Sequence, residues 1–131
     1  MYLLDTNIVS DLIRNPAGRV ASMIGKVGED AVATSILVAA ELRFGAERKG
    51  SKRLTAQLDA VLGAITILSW EQPAERVYGA LRAALERAGT PIGGNDMLIA
   101  AQALALDRTL VTDDKREFGR VKGLKLANWL R

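Results

Sequence analysis

Met1-Tyr2-Leu3-Leu4-Asp5-Thr6-Asn7 opens the chain. An apolar run passes straight into a carboxylate, a hydroxyl and an amide. Such a run reads as a buried β-strand over Tyr2 to Leu4 with acceptor groups at its C-terminal end. Working outward, residues 6 to 14 place Ile8, Val9, Leu12 and Ile13 on one helical face. Asn15-Pro16 breaks that helix. Val20, Met23, Ile24 and Val27 then recur at helical spacing over residues 17 to 27, and Gly28 is a stop.

The same alternation continues to the end. Ala31-Val32-Ala33 is a second strand, and Thr34-Ser35 begins a helix that runs to about Lys49 and stops at Gly50. Residues 51 to 63 predict a helix with Leu54, Leu58, Val61 and Leu62 inward, and Ile65 to Leu68 a third strand. Glu71 to Ala88 predicts a long helix with Val77, Leu81, Ala84 and Leu85 inward. After the loop Thr90-Pro91-Ile92-Gly93-Gly94 come a helix from Asn95 to Leu106, a fourth strand from Thr109 to Val111 and a fifth near Lys125 to Ala127. Short strands separated by helices imply parallel crossovers and a sheet covered on both faces. The expectation is a single three-layer α/β domain over residues 1 to 131.

Composition narrows the chemistry. The chain has no cysteine and no histidine, so disulfides, thiolate sites, imidazole zinc sites and Ser-His-Asp triads are excluded. Any metal site must be built from oxygen, which favours Mg²⁺ or Mn²⁺. The cysteine-free composition suits a reducing cytoplasm, where the protein is expected to act; nothing resembles a secretory signal or a membrane span. Net charge is +3, unevenly placed: Lys115 to Arg131 holds six Lys/Arg against one Glu, so the preceding residues are net acidic. A basic tail beside acids suits a polyanion held over a metal site, although a plain solvated tail has the same composition.

The acids sit at telling places. Ligands of parallel α/β sheets bind beyond the C-terminal strand ends. Asp5 follows the first strand, Asp96 lies in the first turn of its helix, and Asp113-Asp114 follows the fourth strand. Glu41 lies about two turns into the helix after the second strand, four residues after Leu37 and three before Phe44, on what reads as an apolar stripe. Each has a bland reading too. Asp5 serves equally as a helix N-cap, Asp96 as a helix-dipole partner with Asn95 capping, the Asp pair as turn residues, and Glu41 as half of an ion pair. If the carboxylates converge, each disfavours ionisation of its neighbours, and a divalent cation removes that conflict. Oxygen-rich sites of this kind hydrolyse phosphodiesters. Thr6, Asn7, Thr112, Asp113 and Ser35 are candidates to orient the carboxylates by hydrogen bonds, with Ser35 better read as a cap. Gly93-Gly94 has neither the lysine nor the spacing of a phosphate loop, and is expected to allow a sharp turn that brings in Asp96.

Four stretches together resemble VapC-type toxins of the PIN-domain superfamily: MYLLDTNIVS at 1 to 10, TSILVAAELRFGA at 34 to 46, PIGGNDMLIAAQALA at 91 to 105 and LVTDDKREF at 110 to 118. The resemblance spans essentially the whole chain. It implies a PIN-like fold with a central parallel sheet of about five strands and a Mg²⁺- or Mn²⁺-dependent endoribonuclease. It also implies the toxin of a type II toxin–antitoxin pair, commonly a homodimer, inhibited by a cognate antitoxin that places a basic side chain in the acidic pocket. The matching acids are Asp5, Glu41, Asp96 and Asp114. Family members often carry Asn where this chain has Asp113 or Asp114, and Glu117 is a further acid nearby. On this reading Lys115, Arg116, Arg120 and Lys122 steer the RNA backbone.

Two rival functions have specific sequence objections. A phosphatase of the haloacid-dehalogenase type needs a second Asp two residues after the first, where this chain has Asn7. A receiver-like regulatory module needs an Asp at the end of the third strand, where this chain has Leu68-Ser69-Trp70. A non-catalytic RNA-binding module remains as the alternative, but it has no need of the acids.

Overall fold

The computed structural model describes all residues, Met1–Arg131. Five strands form one sheet: β1 (Tyr2–Leu4), β2 (Val32–Ser35), β3 (Thr66–Leu68), β4 (Thr109–Val111) and β5 (Leu126–Ala127). All pairings are parallel, in the order β3-β2-β1-β4-β5. The sheet is covered on both faces. Leu3 and Leu4 point to opposite sides of β1, yet both are 0% exposed.

Seven helices connect the strands: α1 (Thr6–Arg14), α2 (Arg19–Val27), α3 (Ile36–Lys49), α4 (Lys52–Ala64), α5 (Ala74–Ala88), α6 (Gly94–Ala105) and α7 (Lys115–Phe118). A short 3₁₀ turn at Glu29–Ala31 leads into β2. The crossovers from β1 to β2 and from β2 to β3 step one way across the sheet, and β3 to β4 steps back the other way. Right-handed crossovers therefore put the two helix groups on opposite faces. In agreement, α1 to α4 pack on one another, while α5 and α6 form a separate pair. The reversal leaves a crevice beyond the C-terminal ends of β1 and β4, where parallel sheets take ligands.

Local chemistry sets the helix ends. Ser35 and Ser51 cap α3 and α4 by accepting from the backbone N–H of Leu37 and Leu54. Gly50 closes α3 at φ 63°, a left-handed conformation that glycine adopts without strain. The core gathers Leu3, Leu4, Ile8, Val9, Ile99, Leu110 and Phe118 around the centre of the sheet.

Several expectations need correction. Thr34 and Ser35 end β2 rather than begin the helical turns, because their backbones pair in parallel with Leu4, Ile67 and Leu68; Thr34 Oγ1 adds a hydrogen bond to the Leu4 carbonyl at 2.8 Å, and Ser35 is the cap residue of α3. The helix expected from Glu71 begins at Ala74, after Pro73, since a residue before proline is pushed away from helical backbone. On α5, Ala74 is buried and Ala84 is exposed. The helix α7 was not anticipated, since four residues are too few to show a period.

Candidate metal centre

The acidic pocket lies at the crevice between β1 and β4. It is lined only by non-hydrophobic residues: Asp5, Thr6, Asn7, Ser10, Arg14, Glu41, Asp96 and Asp114. All four acids singled out from the sequence therefore face one space. Asp96, Asp114 and Glu117 each bring a carboxylate oxygen to within 4.8 Å of the others, which adds Glu117 to the group.

Asp5 is the buried member, 5% exposed, fixed where β1 hands over to α1. Its backbone N–H donates to the Val111 carbonyl at 2.9 Å, extending the β1–β4 pairing by one residue. Oδ1 accepts from the Thr6 N–H at 2.8 Å, so the carboxylate caps α1. Oδ2 accepts from Thr112 Oγ1, also at 2.8 Å. Cap and pocket acid are therefore one residue; the two readings of Asp5 were not exclusive. Burial raises the Asp5 pKa above its ordinary value; the Thr112 and Thr6 hydrogen bonds oppose the rise, and the charges of Glu41 and Asp114 add to it.

Thr112 is fully buried and links two acids. Its hydroxyl donates to Asp5 and accepts from the Asp114 N–H at 3.0 Å. Asp114 in turn caps α7 by accepting from the Glu117 N–H at 3.1 Å. Asn7 accepts from the Asp113 N–H at 3.3 Å, which clamps the β4 turn to α1. Asp113 itself turns away from the pocket. Its carboxylate accepts from Asn128 and Arg131 near the chain end, and these hydrogen bonds hold its pKa below the ordinary value. Of the adjacent pair, Asp114 faces the pocket.

Glu41 is half-buried and pairs with no lysine or arginine; Thr6 Oγ1 donates to its Oε2 at 3.0 Å. The apolar-stripe reading of its position is incorrect. Phe44 is 65% exposed, and α3 is anchored through Val38, Ala39 and Ala46 instead, with Glu41 at the rim of that face.

Asp96 sits in the first turn of α6 with no side-chain cap before it: Gly93, not Asn95, is the N-cap residue. Burial, the Glu117 charge and the Asp5 charge push its pKa from 3.8 up to about 7. Gly93 has φ −58°, a conformation open to any residue, so no special turn is required there. Space is what the position offers. A Cβ at Gly93 would stand 3.4 Å from Glu117 Oε1 and 3.6 Å from Asp96 Oδ2, and the Gly93 N–H donates to that same Glu117 oxygen.

Neither Glu117 nor Arg14 was singled out with the four acids. Position i+3 from Asp114, the spacing of a short capped turn, is the signal that finds Glu117. For Arg14 the signal is the Asn7, Ser10, Arg14 spacing along one face of α1.

A PIN domain family model matches residues 2–124. The chain belongs to the PIN-domain family. Within it, the similarity is to VapC proteins. Ribonuclease VapC2 of Rickettsia felis is 36% identical over 131 residues, 98% of each chain. The tRNA(fMet)-specific endonuclease VapC of Shigella flexneri is 32% identical over 129 residues, covering 98% of this chain and 97% of that one. Among solved structures, VapBC2 of Rickettsia felis bound to a promoter DNA fragment matches with a TM-score of 0.88 at 35% identity, covering 98% of each chain. The VapC resemblance read from the four sequence stretches and the α/β PIN fold with its five-stranded parallel sheet are both borne out. In this VapC-family chain no helix is long and apolar enough to cross a membrane.

The donor set fits a hard divalent cation. It consists of carboxylates alone, one of them buried and one with its pKa raised to about 7. Anionic oxygens crowded at this density are costly in each other's company and gain most from a cation among them.

Proposed function

We propose that this protein is a metal-dependent endoribonuclease and the toxin of a type II toxin–antitoxin pair. The observation that carries the chemistry is the convergence of Asp5, Glu41, Asp96, Asp114 and Glu117 on one crevice. Asp5, Asp96 and Asp114 would hold the cation, Mg²⁺ or Mn²⁺, with Glu41 and Glu117 acting directly or through water. The bound cation would supply hydroxide near neutral pH and offset charge on the attacked phosphate. The rest falls to the chain. Thr112 and the Thr6 N–H orient Asp5, and their hydrogen bonds partly oppose the rise in its pKa that burial causes. Thr6 orients Glu41, and Asn7 holds the β4 turn in register. Asp113 acts from outside the pocket, by fixing the chain end. Lys115 and Arg116 open α7 beside Asp114, and with Lys122 they are exposed toward the RNA backbone; Arg120 is exposed too, with one guanidinium N–H donating to the Pro91 carbonyl at 2.8 Å.

The biological setting rests on the relatives, which are named ribonucleases and include VapBC-5 of Mycobacterium tuberculosis, described as a member of the VapBC family of toxin–antitoxin systems. A cognate antitoxin would offer a cation to the carboxylates and exclude metal and RNA. The toxin is expected to act in the cytoplasm as a homodimer. The test is RNA cleavage with purified protein. Asp5→Asn and Asp96→Asn should each abolish cleavage while leaving the circular-dichroism spectrum unchanged, and EDTA should abolish it reversibly. Full activity in either variant, or in EDTA, would refute the mechanism.

A further inference from the structure

Beside the acidic pocket lies a groove of about 220 Å³ between α1, α3 and α4. Its floor includes Leu42, Gly45 and Leu58, and Arg14, Arg48 and Lys49 line it. The two depressions adjoin: Ser10, Arg14 and Glu41 border both. All three cations are exposed, and none is paired with a carboxylate; the ion pairs of the chain are Arg43–Asp59, Arg82–Glu86, Lys125–Asp107 and Arg131–Asp113.

We infer that this groove is the track of single-stranded RNA leaving the scissile phosphate, with Arg14, Arg48 and Lys49 gripping successive phosphates. The inference rests on the nuclease reading and assigns the RNA-positioning residues of the same site. Charge complementarity selects the occupant. The pocket is anionic and repels a phosphate unless a cation screens it, so an adjoining line of free cations is what a polyanion needs in order to be held there. Helical spacing keeps the line straight. Asn7, Ser10 and Arg14 rise along one face of α1, and Glu41, Gly45 and Arg48 along one face of α3. Arg14 stands at the junction, and it also borders the depression formed by Asn15 to Arg19. Arg48 is positioned from outside by Phe44, whose ring centroid lies 5.6 Å from the guanidinium carbon.

The test measures binding, not cleavage. A labelled single-stranded oligoribonucleotide of about twelve nucleotides is titrated in EDTA into full-length Asp96→Asn protein, followed by anisotropy. Adding Arg48→Gln with Lys49→Gln should weaken binding roughly 10-fold, and should flatten the slope of log K against log salt by about 1.4, two phosphate contacts' worth. The charge-preserving pair Arg48→Lys with Lys49→Arg should keep both. Arg87→Gln, on the distant exposed face of α5, should change neither. Unchanged affinity and slope in the Gln pair would overturn the inference. So would a Gln pair that binds RNA normally but loses affinity for a poly-glutamate peptide, which would assign the groove to a polypeptide. The metal step plays no part in this readout. If the parent protein fails to cleave RNA in Mg²⁺ while the Gln pair still loses binding, the nuclease reading falls and the groove stands.

Discussion

Thr112 carries more of the site than its type suggests. One hydroxyl satisfies Asp5 Oδ2 and receives the Asp114 N–H, so it sets the orientation of one acid and the backbone position of another. Thr112→Val keeps the shape and removes both bonds. Loss of an outer hydrogen-bonding partner of this kind typically costs about 10–100-fold in metal affinity or activity. Thr112→Val should lower kcat/KM within that range and raise the Mg²⁺ concentration needed for half-maximal rate, whereas Thr112→Ser should retain most of both. A valine variant with unaltered Mg²⁺ dependence would show that Asp5 needs no such partner.

At the scale of elements, a helix of four residues decides the far side of the pocket. α7 exists because Asp114 caps it, and its third residue, Glu117, reaches back to the Gly93 N–H at the start of α6. Two sequence-distant helix ends are thereby tied across the acids. Glu117 is the leading charge behind the raised Asp96 pKa after burial. Glu117→Gln should therefore lower the Asp96 pKa from about 7, as followed by carboxylate ¹³C shifts in metal-free protein. It should also weaken divalent-cation binding, measured by calorimetry. If the Asp96 pKa stayed in place, the two carboxylates would not share a field.

Across the whole molecule these acids make stability depend on pH and on metal. Asp5 and Asp96 have pKa values raised in the fold, so the folded state favours their protonated forms. That contribution is present below the ordinary 3.8 and is lost as pH rises through the folded value, about 7 for Asp96. In EDTA, the contribution of these two acids to the melting temperature should therefore fall between about pH 4 and about pH 8. Asp96→Asn should be the more stable protein at the upper end of that window, and Mg²⁺ should raise the parent's melting temperature more at about pH 8 than at about pH 5. A parent and an Asn variant with parallel pH profiles in EDTA would contradict the raised Asp96 pKa.

Read alone, the sequence settles the strand–helix alternation and the parallel α/β class, and it singles out Asp5, Glu41, Asp96 and the pair Asp113-Asp114 as candidates. Those features are local: strand runs, helical periods and acids just beyond strand ends are written in neighbouring residues. What lies between distant segments was decided by the tertiary structure. Which of Asp113 and Asp114 faces the pocket depends on Arg131 and Asn128, and Glu117 joins the acids only because α7 folds back on Gly93. The apolar stripe that points to Glu41 in the sequence includes an exposed Phe44; Glu41 lines the acidic pocket, but not because it lies on a buried stripe. Periodicity reports which residues share a helix face; only packing decides which face is covered. The groove along Arg14, Arg48 and Lys49 was beyond sequence reading for the same reason, since it exists only where α1, α3 and α4 meet.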